Sequence, residues 1–351
     1  MDIGGANTKA ALLHFKDKKI INSVSFIEYF PFWEKSIIEI PKMLLNITKR
    51  LCETGNYQHE DVDYLAITIT AELSDAFQTK REGIFTILNA LAEVFDKNKL
   101  RFISNKSNFI EFAEAKSNPY SIAAANWAST ALFLGSFLPE CILIDAGSTT
   151  IDLIPLIDSK PASNGIDDIS RLLNHELIYT GGLRATVPSI THHVPFKEKM
   201  VRISFEKFAL ISDVHRILGN ISEEDYINDT ADNRSKSLND CYARLSRLIC
   251  MDIETIPKED LDIIAWFIYK KQLDIISREI VSFMNNLKNR FKQFENNPKF
   301  VITGLSGEFL IKKSLHTLGY YNIKSYEEIT KIPNKICSSA FAVAGALYFQ
   351  L

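Results

Sequence analysis

The chain has no apolar run as long as the ~18 residues that a membrane-spanning helix needs, so no membrane span is expected. No basic, apolar leader stands ahead of the first motif, which begins at Asp2. Cysteine is sparse: Cys52, Cys141, Cys241, Cys250 and Cys337 share no short spacing. That argues against a paired-cysteine zinc site and against a disulfide framework. It reads as reduced thiols in a cytoplasmic protein. An excess of one charge is also missing. With 40 Lys and Arg against 43 Asp and Glu, nothing favours nucleic acid or an anionic membrane as partner. There is no low-complexity linker. What remains is 351 residues, 46% hydrophobic, enough for two cores, so two domains are the natural expectation.

One stretch organises the rest. Asp145-Ala-Gly-Ser-Thr-Thr-Ile-Asp152 lies between the apolar runs Cys141–Ile144 and Leu153–Ile157. This predicts a buried strand, a tight turn and a returning strand. The turn carries Gly147 and the hydroxyls of Ser148, Thr149 and Thr150, with a carboxylate at each end. Such a loop offers N–H groups and hydroxyls to an anion, while Asp145 and Asp152 orient a divalent cation or a water. The N-terminus repeats the pattern in Asp2-Ile-Gly-Gly-Ala-Asn-Thr-Lys9, followed by Ala10–Leu13. Two such loops predict two like domains facing one phosphate-bearing ligand.

Around these loops the pattern alternates strand and helix. A hairpin is expected over 10–15 and 20–27, a helix over 33–52, a strand over 63–70 and a helix over 83–95. A strand follows over 100–104, then an Ala-rich helix over 121–135. Beyond the central loop come a short helix over 165–174, a polar stretch over 188–240, helices over 238–252 and 260–294, a strand over 300–303 and a last apolar helix over 337–349.

Five pieces in this order resemble the actin, sugar kinase and heat-shock chaperone ATPase superfamily. They are the two loops, Val301-Ile-Thr-Gly-Leu-Ser-Gly307 as an adenosine loop, and the segments 121–135 and 338–347 as interdomain helices. Thr70-Ala-Glu-Leu-Ser-Asp-Ala-Phe77, Lys80-Arg-Glu-Gly83, Ala124-Ala-Asn-Trp127 and Tyr179-Thr-Gly-Gly182 narrow the match to the hydantoinase/oxoprolinase-related branch. Within it they resemble proteins of tetrahydromethanopterin-linked one-carbon metabolism. The resemblance implies an α/β fold of two actin/hexokinase-like (ribonuclease H-like) domains with an interdomain cleft. Residues 1–138 form the first, with 337–351 packing back near it, and 139–336 the second, with an insertion at about 188–240. Only Met1 precedes Asp2, where that superfamily has several apolar residues. A missing segment ahead of it, or a strand cut short, is therefore expected.

The resemblance further implies a transferase of methanofuran biosynthesis. It would join (5-aminomethyl-furan-3-yl)methyl diphosphate to γ-glutamyltyramine, or to a tyrosine-derived phenol, through an ether and release pyrophosphate. The alternatives are an ATP-dependent phosphotransferase or ring-opening ATPase, and a non-catalytic nucleotide sensor. Asp145, Asp152 and Asp2 are the candidate catalytic residues, with Asp2 and Asp145 holding Mg²⁺ through water and no organic cofactor. Gly4, Gly5, Asn7, Thr8, Lys9, Gly147, Ser148, Thr149, Thr150, Gly304, Ser306 and Gly307 are candidates for the diphosphate. Thr70, Glu72, Asp75, Lys80, Arg81, Asn126, Gly181 and Gly182 are candidates for substrate binding. The expected partners are the small-molecule diphosphate and the phenol, without nucleic acid or membrane; a homodimer stays open. The bland alternatives are turn or helix capping at Thr70 and Ser74, core filling at Trp127, and a solvated turn over 231–236. His192 and His193 are adjacent, so they point apart on a strand and lack a third ligand for a metal.

Overall fold

The computed structural model describes all residues from Met1 to Leu351. The first sheet contains β1 (Asp2–Gly4), β2 (Asn7–Lys16), β3 (Lys19–Tyr29), β4 (Leu65–Thr70), β5 (Leu100–Ile103) and β6 (Phe109–Glu111), in the order β3-β2-β1-β4-β5-β6. β1, β2 and β3 form an antiparallel meander, and β4 lies parallel to both β1 and β5. This is the strand order of a ribonuclease H-like sheet.

The second sheet draws on β7 (Cys141–Ala146), β8 (Ile151–Ile157), β9 (Lys160–Pro161), β10 (Leu177–Ile178), β13 (Phe300–Thr303) and β14 (Ile323–Ser325). Its order is β10-β8-β7-β13-β14, with β9 on β8, so the same hairpin-then-crossover plan recurs. A small separate ribbon pairs β11 (His193–Phe196) with β12 (Lys199–Arg202). No helix is long and apolar enough to cross a membrane.

The chain divides into two compact units. The first is Met1–Leu143 with Ile154–Leu173 and Lys324–Leu351; the second is Ile144–Leu153 with Asn174–Ile323. In the first unit, Ile3, Ile67 and Ile69 of the sheet pack with Leu44, Ile47, Ile84 and Leu88 of two helices. The closing helix, Ser338–Gln350, is small-residued for a reason. A Cβ on Gly345 would stand 2.3 Å from the ring of Phe133, so only glycine allows that approach.

Several helix limits move for local reasons. The helix expected from residue 33 is Ile40–Gly55: Ser36 first caps a 3-10 turn, Pro41 opens the helix proper, and Asn56 closes it at φ 60°. The helix expected from 83 begins at Lys80, because the Thr79 hydroxyl accepts from the Glu82 amide at 3.1 Å. The segment 121–135 is α-helical only from Asn126; its first two residues close the 3-10 turn Pro119–Ile122. Ala124 has φ 46° and donates its amide to the Ile69 carbonyl at 3.0 Å, so the C-terminal end of β4 takes residues a helix would have used.

The polar stretch 188–240 is folded in the second unit around an internal ion network. Asp213, fully buried on the helix Ile211–Ile217, accepts from Arg244 at 2.8 Å and from the Tyr226 hydroxyl at 3.0 Å. Arg244 also reaches Asp232 at 3.1 Å, and Arg247 joins it at 2.8 Å. Asp232, in the expected turn 231–236, is thus spent on internal arginines. Burying a charge this way is tolerable only with full pairing.

Candidate active site

In the first unit the loop after β1 is shaped by backbone demands. A Cβ on Gly4 would meet the Asn7 carbonyl oxygen at 2.8 Å. The carbonyls of Gly5 and Ala6 accept from the amides of Phe32 and Phe30, both at 2.9 Å. Every peptide is trans, so an N–H points opposite the carbonyl of the same peptide unit. The amides of Ala6 and Asn7 are therefore turned away from the Phe30–Phe32 segment. Strand register pairs Asp2 with both Lys9 and Thr68, which sets these side chains on one face of the sheet. Thr8 pairs with Ile3 on the other face and is fully buried.

Asp2 is buried and tightly held. Its carboxylate accepts from the Thr70 hydroxyl at 3.2 Å and from the Ser339 hydroxyl at 2.5 Å. Two residues beyond Thr70, Glu72 is only 2% exposed, and its Oε2 has no hydrogen-bond partner. Burial pushes the Glu72 carboxyl up to about 7; Lys80 opposes the shift, and Asp168 and Asp2 add to it. Lys80 does not neutralise it directly, because its ammonium pairs with Asp168 at 3.1 Å. Gly83 lets the helix beginning at Lys80 lie against this turn, since a Cβ there would touch the Glu72 Cα at 2.9 Å. The charge cluster expected over 72–81 is thus divided. Glu72 is inside and Lys80 half-buried, whereas Asp75 and Arg81 are exposed.

In the second unit the Asp145–Asp152 loop rests on two glycine segments. The Gly147 amide closes the turn on the Thr150 carbonyl at 2.9 Å. The Thr149 carbonyl accepts from Gly181 at 2.8 Å, the Gly147 carbonyl from Gly182 at 3.0 Å, and the Ser148 carbonyl from Leu183 at 2.9 Å and Arg184 at 3.1 Å. Ser306 donates its amide and its hydroxyl to the Ala146 carbonyl, both at 3.0 Å. With the carbonyls of Gly147, Ser148 and Thr149 so engaged, the amides of Ser148, Thr149 and Thr150 point the opposite way. Successive amides turned to one side make an anion-binding concavity, and three half-buried hydroxyls stand at the same turn.

The glycines are steric requirements. A Cβ on Gly181 would lie 2.7 Å from Gly147 O, Ser148 C and Thr149 N; one on Gly182 would lie 2.8 Å from Ser306 Cβ. Gly304, at φ 87°, would set a Cβ 2.4 Å from the Ala146 carbonyl oxygen and 2.9 Å from Asp145 Oδ1. Gly181, Gly182, Gly304 and Ser306 thus lie against the loop's backbone and shape it. Gly307 is buried at the start of the next helical turn, Gly307–Lys312. Asp145 is half-buried at the end of β7. Asp152 is buried on β8, opposite Leu177. Asn126 is half-buried, and its carbonyl accepts from the Ser129 and Thr130 hydroxyls.

Sequence reasoning missed Ser339, Asp168, Arg171 and Gln272. Arg171 is buried with its guanidinium 4.5 Å from the Trp127 ring, so Trp127 packs against a cation within the core. Gln272 interrupts an apolar stripe on the helix Lys258–Arg290, the one signal that marked it. His192 lies beside the Phe205 ring and His193 is exposed on β11; no group of three or more His, Cys, Asp or Glu is placed to hold a metal.

Comparison with known proteins shows the family. The family described as Hydantoinase/oxoprolinase matches residues 63–349. A Methanocaldococcus jannaschii protein is 35% identical over 352 residues, covering 100% of this chain and 97% of its own length. It is named a synthase of (4-(4-(2-(gamma-L-glutamylamino)ethyl)phenoxymethyl)furan-2-yl)methanamine. A Methanococcus vannielii protein of the same name is 35% identical over 217 residues, covering 60% of this chain and 92% of its own. Among solved structures, component A of the Acidaminococcus fermentans (R)-2-hydroxyglutaryl-CoA dehydratase has TM-score 0.45 and 13% identity, covering 99% of this chain and 96% of that one. MreB 5 of Spiroplasma citri, bound to AMPPNP, has TM-score 0.41 and 11% identity, covering 99% and 94%. This chain belongs to the hydantoinase/oxoprolinase family.

Proposed function

We propose that this chain is a transferase of methanofuran biosynthesis that forms an aryl–O–CH₂–furan ether from a furfuryl diphosphate and γ-glutamyltyramine. The observation that carries the reading is the loop Gly147–Thr150, with three amides and three hydroxyls free of the anchoring contacts that consume its carbonyls. The product named for the Methanocaldococcus jannaschii relative contains a phenoxymethyl-furan and a methanamine. Its ether divides into a phenol and a furfuryl carbon that must carry a leaving group. A diphosphate is the leaving group that such a loop suits.

The proposed reaction has one bond made and one broken. A lone pair of the phenol oxygen forms the new bond to the furfuryl carbon. The C–O bond to the diphosphate breaks and its electron pair leaves with pyrophosphate, while the furan ring delocalises positive charge as the bond lengthens. Amides turned toward the departing oxygens stabilise the charge that develops there. The phenolic proton passes to Asp145 or Asp152, directly or through water. Lys9 supplies a cation for a phosphate oxygen. Mg²⁺ fits as an ion brought with the diphosphate. Such an ion would keep several waters and need only one or two carboxylates; Asp145 in the second unit and Asp2 in the first are the carboxylates that would meet those waters.

Glu72 is proposed to meet the methanamine nitrogen. A buried carboxyl whose Oε2 lacks a partner gains most from a ligand that brings a cation and N–H donors together. Incubation with the furfuryl diphosphate and γ-glutamyltyramine, and separately with ATP, tests the reading. Pyrophosphate and ether in the first tube are expected. Turnover of ATP alone, with no ether in the first tube, would overturn it.

A further inference from the structure

The long helix Lys258–Arg290 buries Ile264, Ile268, Ile276 and Ile280 at every fourth position, and Gln272 completes the series. A fully buried amide in an apolar stripe is costly unless all its hydrogen bonds are made. They are made, and in a fixed direction. Gln272 Oε1 lies 2.9 Å from His215 Nε2, so that nitrogen carries the proton. His215 Nδ1 must then accept, and it lies 3.1 Å from the Asn220 amide nitrogen. Burial holds the imidazole well below its ordinary range, at about 3, so it stays neutral. Both protons of Gln272 Nε2 are spent at the far end: one on the Gly181 carbonyl at 2.9 Å, one on the Thr180 hydroxyl at 3.1 Å. Gly181 in turn donates its amide to the Thr149 carbonyl at 2.8 Å.

We infer that Gln272 is a positioning residue for the phosphate-binding loop, and that the folded stretch around the helix Ile211–Ile217 serves to set it. The relay Asn220–His215–Gln272–Gly181–Thr149 fixes the height of Gly181 beneath the loop. Gly181 tolerates no error there, because its Cα already lies within a Cβ's reach of three loop atoms. Packing supports the same alignment: the His215 ring lies 4.6 Å from the Phe309 ring, and the Tyr269 hydroxyl donates to the Phe309 carbonyl. The consequence for ligand affinity rests on the loop's proposed role with a diphosphate; the relay's hold on the loop does not.

The test uses the full chain as Gln272→Leu, Gln272→Glu and, as a control on the same stripe, Ile276→Ala. Amide hydrogen exchange reads the Gly181 amide without any ligand. Gln272→Leu is expected to speed that exchange at least about tenfold beyond any change in global stability, the scale of one lost hydrogen bond. Gln272→Glu keeps the acceptor for His215 but sets an oxygen against the Gly181 carbonyl. It is expected to fail as a rescue, and it serves as the test if Gln272→Leu does not fold. Binding of inorganic pyrophosphate with Mg²⁺ should weaken about tenfold in both variants, while Ile276→Ala loses stability only. Unchanged Gly181 exchange in a folded Gln272 variant, or equal acceleration in Ile276→Ala, would overturn the inference. Wild-type chain that binds no pyrophosphate would instead count against the proposed function, with the exchange result still deciding the relay.

Discussion

The hydroxyl of Ser339, on the last helix, donates to the carboxylate of Asp2 at 2.5 Å. With Thr70 as the second donor, it fixes the orientation of a buried carboxylate at the start of the first loop. Ser339→Ala leaves that charge with one hydroxyl donor fewer in a buried place. It should cost about 1–3 kcal/mol, the scale of a hydrogen bond to a charged group. Urea titration checks this, and Ser339→Thr, which keeps the hydroxyl, should recover most of the loss.

Asp145 and Lys9 should fail in different ways. Asp145→Asn preserves size but removes the negative charge that the proposed proton acceptance or orientation of a metal-bound water requires. Its kcat should fall by about 10²-fold or more. In its proposed role Lys9 meets charge already present in the diphosphate, so Lys9→Ala should act mainly through KM. Steady-state kinetics with circular dichroism as a folding control separates the two; near wild-type turnover in folded Asp145→Asn would remove it from the chemistry.

Glu72 makes stability depend on pH in a definite sense. Its carboxyl is raised from 4.5 to about 7 by burial, so the folded state holds a proton that the unfolded state has released across that window. Stability from this group is complete below about 4.5, and it is lost as pH rises to about 7. Gln has no such proton to lose. Glu72→Gln should therefore match wild type near pH 4 and exceed it at pH 8 by on the order of 3 kcal/mol. Denaturant titrations at the two pH values decide it. Equal differences at both would mean that Glu72 is ionised in the fold without cost. The same variant should raise KM for the amine-bearing diphosphate more than for an analogue lacking the amine.

Gly181→Ala tests the cradle sterically. The added methyl would stand 2.7 Å from three backbone atoms of the loop, none of which is the end of a flexible side chain. The loop must shift, so pyrophosphate affinity should drop at least about tenfold while far-UV circular dichroism stays native. Retained affinity would show that the loop's exact seat is unimportant.

The sequence displayed the central loop because small and hydroxylic residues stand there between two apolar runs, and the first loop because the same pattern precedes the apolar Ala10–Leu13; that contrast survives without any tertiary knowledge. It displayed the long helix and the two sheet hairpins for the same reason: periodicity reports which face is buried. It does not report what meets that face. Ser339 stands 337 positions from Asp2 and looks like one more small residue in an apolar helix. Asp168 pairs with Lys80 across 88 positions. The break at Ala124 arises from a hydrogen bond to β4, which local propensity does not contain. The stretch 188–240 reads as polar surface because most of its charges are exposed; nothing local marks Asp213 and Asp232 as the two that turn onto Arg244.

Whether the diphosphate leaves intact from carbon is read in the fate of one oxygen. The furfuryl diphosphate is labelled with ¹⁸O at the oxygen bridging carbon and phosphorus, then turned over with γ-glutamyltyramine without nucleotide. The account predicts that the label appears in pyrophosphate and none in the ether, because the C–O bond breaks and the ether oxygen comes from the phenol. Label retained in furfuryl alcohol, with cleavage between phosphorus and oxygen, would contradict it.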